Sequence, residues 1–87
     1  MEFASKVALI TGGGNGIGRA AAMGFAARGA KVVVVDRDAA GGEGTAGAIR
    51  QQGGDARFVS ADVTKSADVQ AYVKATLDAY GRIDCFF

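Results

Sequence analysis

The run VALITGGGNGIGRAAAMGFAARGAKVVVVDRD, residues 7–38, decides how this chain is read. At its heart, TGGGNGIG (residues 11–18) is dominated by glycine and sits between an apolar run and an alanine-rich run. Such a segment can be a flexible linker, a tight turn, or a loop that lets backbone touch a ligand. Its neighbours choose among these. Val7–Ile10 and Val32–Val35 are short, unbroken apolar runs rich in β-favouring residues, the pattern of strands buried on both faces of a parallel sheet. Between them, Ile17, Ala21, Gly24, Phe25 and Arg28 fall on one helical face, and Gly29 stands where a C-terminal cap is expected. The small residues Ala20, Ala21 and Gly24 are expected to let this helix approach the sheet closely.

The alternation continues downstream. A helix is expected from Ala39 to Gln52, with Ala39, Gly42, Ala46 and Ile49 on one face. Gly41, Gly42, Gly44 and Gly47 each cost it about 1 kcal/mol against alanine, so tertiary packing must hold it. Gly53–Asp55 ends it, and Arg57–Ala61 reads as a third strand. Thr64 or Ser66 is the expected N-cap of a helix over Ala67–Tyr80, in which Val69, Tyr72, Val73, Thr76, Leu77 and Tyr80 recur at three- and four-residue steps. Gly81 stops that helix, and Ile83–Phe87 begins a fourth strand. Strands alternating with helices argue for an α/β chain: a parallel sheet with right-handed crossovers, helices on both faces, the first half of a doubly wound fold.

Composition bounds what such a fold can do. At 87 residues the chain is one small domain at most, and with 49% hydrophobic residues it calls for a packed core. The net charge is +1, and Lys and Arg are scattered singly, which argues against a nucleic-acid partner. No apolar run is long enough to cross a bilayer, and Met1–Lys6 lacks the pattern of a secretory leader, so a cytoplasmic setting is expected. A single cysteine and no histidine exclude an internal disulfide framework and argue against a zinc site. Cys85 reads as a small apolar strand residue, since no histidine is present to activate it.

The glycines carry the chemistry. A chain that reverses from strand into helix needs unusual backbone angles, and an absent side chain lets a pyrophosphate approach the helix N-terminus. There the N–H groups of the first turn and the positive end of the helix dipole favour anions. The loop has no lysine, so it is not a Walker phosphate loop. The commoner dinucleotide spacing occurs as Gly16, Gly18 and Ala21, but its first glycine should directly follow the strand. Anchored at Gly12, the pattern is G-x-x-x-G-x-G, through Gly16 and Gly18. Asp36 ends the second strand 18 residues past Gly18, where a carboxylate can accept hydrogen bonds from an adenosine ribose. Asp62 follows the third strand beside Val63. Three strand ends thus bring Gly12, Asp36 and Asp62 to one sheet edge, where open α/β proteins bind ligands.

TGGGNGIG, VVVVDR, ADVT and GRIDCFF, in that order, resemble the pattern of short-chain dehydrogenases/reductases across essentially the whole chain. That resemblance implies a Rossmann-type fold and an oxidoreductase that interconverts an alcohol and a carbonyl with a nicotinamide cofactor. It implies that Gly12, Asn15, Gly16, Ile17 and Gly18 line the cofactor's phosphates and sugars, with Thr11 steadying the loop. It further implies that Asp36 binds the adenine ribose, while Asp62 and Val63 contact adenine. The Asp36 charge opposes the extra phosphate of NADP and argues for NAD, while Arg37 offers a guanidinium that can bind that phosphate or stack on adenine.

The family's proton-transfer chemistry uses a tyrosine with a lysine four residues on. Here Thr76 follows Tyr72 at that distance and Asp84 follows Tyr80, so no catalytic residue is assigned and the chain alone is expected to be inactive. Residues 1–87 are therefore expected to be the amino-terminal part of one dinucleotide-binding domain, with the remainder of that domain absent from this chain. The resemblance implies a small-molecule substrate and a homo-oligomer for the complete enzyme. The other readings are a non-catalytic dinucleotide-binding or sensor module and an α/β fragment without ligand affinity.

Overall fold

The computed structural model describes residues 3–87. Met1 and Glu2, part of the stretch read above as lacking a leader pattern, lie outside the described residues. The elements are β1 (Val7–Thr11), α1 (Gly16–Ala27), β2 (Lys31–Asp36), α2 (Ala39–Gln51), β3 (Ala56–Ser60), α3 (Ser66–Tyr80) and β4 (Cys85–Phe86). The strands are all parallel and lie in the order β3-β2-β1-β4. The connection from β3 to β4 therefore crosses over β2 and β1, so the winding direction reverses between β1 and β4.

The run of valines in β2 shows why the strand is apolar throughout. Val32 and Val34 pack with Ala22 of α1 and with Ala46 and Ile49 of α2 on one face. Val33 and Val35 pack with Leu9, Ala61 and Tyr72 of α3 on the other. Side chains alternate along a strand, so two covered faces demand two interleaved apolar sets. A three-layer α/β/α architecture results, as the element order implies. Among the described residues no helix is long and apolar enough to cross a membrane.

Local details shift several expected boundaries. The third strand runs Ala56–Ser60, one residue earlier than its hydrophobic run suggests, because Asp55 O and Ala56 join the β2 ladder. The fourth strand is only Cys85–Phe86, where it pairs with Ala8 and Leu9. The second helix stops at Gln51, one residue early, and Gln52 closes it. Lys65, rather than Thr64 or Ser66, occupies the N-cap of α3 and supplies no side-chain bond. Asp68 in the first turn reaches back instead, its Oδ2 accepting the Asp62 N–H at 2.8 Å.

The α1 face is the main correction. Gly18 and Ala22 are the buried residues of α1, while Ile17 is 79% exposed, Gly24 faces open space and Arg28 is exposed. Gly18 fixes the rotation, since a Cβ there would lie 2.0 Å from the Gly12 carbonyl oxygen. Phe25, also expected on the packed face, does pack against the core, so the buried face is turned only partly from the one the periodicity suggested. In a helix this rich in alanine, hydrophobic period defines a face poorly. In α2, Ala39 is exposed, but Gly42, Ala46 and Ile49 do face the core, joined by Thr45. Of the α3 positions, Leu77 is 44% exposed and the others are buried or half-buried.

Candidate functional site

Parallel pairing places every strand's C-terminal end on one edge. Thr11 of β1 stands opposite Val35, and Asp36 of β2 stands opposite Ser60. The glycine loop therefore leaves β1 beside the end of β2. Gly13 N–H donates to the Val35 carbonyl at 3.3 Å, stitching loop to strand. Gly12 (φ 65°) and Gly16 (φ 59°) hold left-handed backbone angles, and a Cβ at either would meet nothing within 4 Å. These two turn the chain, and their outer sides stay open for a ligand. Gly18 has the opposite role, since its missing side chain lets α1 start directly under the loop. Three glycines at G-x-x-x-G-x-G spacing thus serve two geometric needs.

Asn15 is the N-cap of α1 in extended conformation and gives no side-chain cap, and no acidic residue occupies the first turn. The amides that open α1 thus receive no side-chain cap from Asn15, and the helix dipole adds positive potential there. By contrast, Asp38 caps α2, its side chain accepting the Gly41 N–H at 3.1 Å.

Asp36 and the glycine loop are brought into contact. Asp36 Oδ2 accepts the Gly14 N–H at 2.9 Å, across 22 residues of sequence, and Oδ1 accepts the Asp38 N–H at 2.9 Å. Each carboxylate oxygen has a second lone pair, so the half-buried group can still accept from a diol. Asp62 stands at the same edge beyond β3. Its Oδ1 accepts both the N–H and the hydroxyl of Thr64, at 2.9 and 2.6 Å. These two bonds, chiefly the hydroxyl, hold the Asp62 carboxyl below the usual carboxylate range. Arg37 Nε lies 3.9 Å from Asp62 Oδ2 with its side chain 74% exposed, a contact of little energy. Val63, after β3, and Ile17, in the first turn of α1, are exposed apolar side chains.

Thr11 holds a different partner from the one expected. Its hydroxyl donates to the Phe87 carbonyl at 2.8 Å, tying β1 to the end of β4 and not to the glycine loop. Tyr72 is buried on the sheet face of α3 with Leu9, Val33 and Val35, and the Tyr80 hydroxyl donates to Asp55 at the opposite edge. Cys85 is half-buried and packs against the α1/α2 core. Among the described residues no cluster of metal-ligating side chains occurs.

Two residues at the site have no counterpart in the sequence reading. Gly14 approaches α2 so closely that a Cβ would lie 2.7 Å from Asp36 Oδ2 and 3.1 Å from Gly42 N. Thr45 is fully buried beneath it. The available signal was a hydroxyl on the face shared by Gly42, Ala46 and Ile49. Two hollows, of about 360 Å³ between the C-terminal ends of α1 and α2 and about 570 Å³ beside Phe3 and Phe25, lie away from Gly12, Asp36 and Asp62. The glycine-loop edge is instead an open shelf. The residues fit a dinucleotide on their own chemistry: open glycines with positive φ, an uncapped helix start, and a carboxylate beside them.

Comparison with known proteins agrees with this fold. The sequence model of the short chain dehydrogenase family matches residues 6–87. Levodione reductase of Leifsonia aquatica is 47% identical over 88 residues, which cover 99% of this chain and 33% of that protein. A Burkholderia phymatum short-chain dehydrogenase/reductase solved in complex with NAD superposes with TM-score 0.96 at 40% identity, over 100% of this chain and 31% of that one. A metagenomic short-chain oxidoreductase in complex with NADP superposes with TM-score 0.93 at 31% identity, over 99% and 39%. The chain thus spans about a third of the length of these relatives. With this sheet order, a glycine turn after β1 and a match along nearly all its length, the chain belongs to the short-chain dehydrogenase family.

Proposed function

We propose that residues 1–87 form the amino-terminal part of a dinucleotide-binding domain in an oxidoreductase that interconverts an alcohol and a carbonyl, holding the adenosine–pyrophosphate end of NAD. The bound nicotinamide supplies the hydride carrier. Gly12, Asn15, Gly16 and Ile17 surround the pyrophosphate and its adjoining sugar, Gly18 lets α1 start directly beneath them, and the α1 amides and dipole neutralise charge. Asp36 accepts from the adenine ribose hydroxyls. Asp62 and Val63 border the adenine, with Arg37 on its outer side. The observation that carries this reading is the 2.9 Å bond from Gly14 N–H to Asp36 Oδ2, which sets a carboxylate directly against the glycine turn.

Asp36 also supports NAD over NADP, since a 2′-phosphate there would face a carboxylate. The relatives bind one or the other, so the charge at this position is the relevant evidence. Calorimetric titration of the folded chain with NADH, NADPH and ADP tests the proposal. Binding is expected for all three, tighter for NADH than NADPH, and Asp36→Ala is expected to narrow that difference. No heat from any ligand would refute the site, and an unchanged NADH-to-NADPH ratio in Asp36→Ala would remove Asp36 as the ribose anchor.

A further inference from the structure

We propose that Thr45 is a positioning residue for the glycine loop: its buried hydroxyl fixes the Gly14–Asn15 peptide so that the Asn15 N–H faces the pyrophosphate. The inference rests on the reading of the loop as a pyrophosphate cradle. Thr45 is 0% exposed, the one hydroxyl on the packed face of α2. Its Oγ1 lies 3.4 Å from the Gly14 carbonyl oxygen and 3.3 Å from the Gly41 carbonyl oxygen. Arg19 of α1 donates into the same oxygen at 3.2 Å. With a lone pair taken by the guanidinium, the hydroxyl's single proton must go to one of the two carbonyls. Either carbonyl has a lone pair for it, since the Gly41 carbonyl, four residues back in α2, keeps one beside its helix bond; the bond to the Gly14 carbonyl is the one that couples α2 to the loop.

Gly14 is thereby held at both ends. Its N–H donates to Asp36, and its carbonyl faces Thr45. A Cβ on Gly41 would lie 3.1 Å from the Gly14 carbonyl oxygen, so the loop is pressed onto α2 with no room for a side chain. A planar trans peptide points its C=O and the following N–H in opposite directions. With the Gly14 carbonyl turned toward α2, the Asn15 N–H is directed away from α2, toward the loop's open side. The same orientation keeps a carbonyl oxygen, the negative end of a dipole, away from an incoming anion. Arg19 completes the arrangement from α1, so the loop is braced by both helices that flank it.

The test compares Thr45→Val, which keeps the shape and loses the hydroxyl, with Thr45→Ser, which keeps the hydroxyl. ADP and adenosine are titrated separately into each folded chain. Thr45→Val is expected to weaken ADP by about tenfold, the size of one hydrogen bond to a charged group, and to leave adenosine unchanged. Thr45→Ser is expected to restore ADP binding. Normal ADP affinity in Thr45→Val, equal losses for both ligands, or no rescue by serine would each overturn the role of Thr45. Should Thr45→Val fail to fold, amide exchange on the wild-type chain decides. ADP, but not adenosine, is expected to slow exchange of the Asn15 N–H, and no slowing overturns the proposal. A folded wild-type chain that binds neither ligand would instead overturn the cradle reading beneath it.

Discussion

Gly18 shows how much one absent atom can set. A Cβ at this position would sit 2.0 Å from the Gly12 carbonyl oxygen, and that oxygen is backbone that cannot swing aside. Gly18→Ala is therefore expected to cost about 2 kcal/mol by overpacking, and to displace the loop. Urea denaturation measures the first effect, and ADP titration the second. An alanine variant as stable as the parent would mean that the loop is softer than its contacts imply. Gly12, Gly16 and Gly18 were legible in the sequence because their spacing encodes turn, turn and close approach. Gly14 was not, because its constraint comes from Asp36 and α2, partners that the sequence leaves more than twenty residues away.

The second helix is the element in which glycines differ most from one another. Gly47 has open space where its Cβ would be, whereas a Cβ on Gly42 would meet the Phe58 ring at 2.0 Å. The same residue type in one helix is thus a conformational liability at one turn and a packing requirement at the next. Gly47→Ala is expected to stabilise the chain by about 1 kcal/mol, the helix-propensity gain. Gly42→Ala is expected to destabilise it by about 1 kcal/mol, because overpacking against Phe58 exceeds that gain. Thermal unfolding of the pair checks both signs, and a shift in the same direction for both would refute the distinction. For α1, period alone chose a face containing Ile17 and Gly24, and packing chose Gly18 and Ala22. Alanine on every side leaves the hydrophobic period without contrast.

For the molecule as a unit, the edge opposite the glycine loop supplies a pH-dependent tie. The Tyr80 hydroxyl donates to Asp55 Oδ1 at 2.7 Å, and Lys31 and Arg57 lie 5.7 and 5.6 Å from its ring centre. Partial burial, then the Asp55 bond, pushes the phenol up to about 12 against the opposing pull of Arg57. The unfolded chain releases this proton near its ordinary value of 10, so between 10 and 12 the folded state binds more protons. The contribution of Tyr80 is fully present below pH 10 and lost as pH rises toward 12. Denaturation midpoints are expected to fall over that interval less in Tyr80→Phe than in the parent, and parallel curves would refute the shift. The same view of the whole bears on activity. Neither Tyr72 nor Tyr80 has a lysine four residues on, and Tyr80 lies at the wrong edge of the sheet. The purified chain is expected to bind dinucleotide without turnover, and dehydrogenase activity from it would overturn that.

Alternating apolar runs, helix stops at Gly29, Gly53 and Gly81, and the strand-end aspartates came from the sequence, because each depends on local backbone preference or on period. Those signals also sufficed for parallel order and for the edge that gathers Gly12, Asp36 and Asp62. The rotation of α1, the clamp of Asp36 on Gly14, and the hydroxyl of Thr45 beneath the loop depended on the fold. Each joins groups from different elements, and contact across space leaves no periodic trace along the chain.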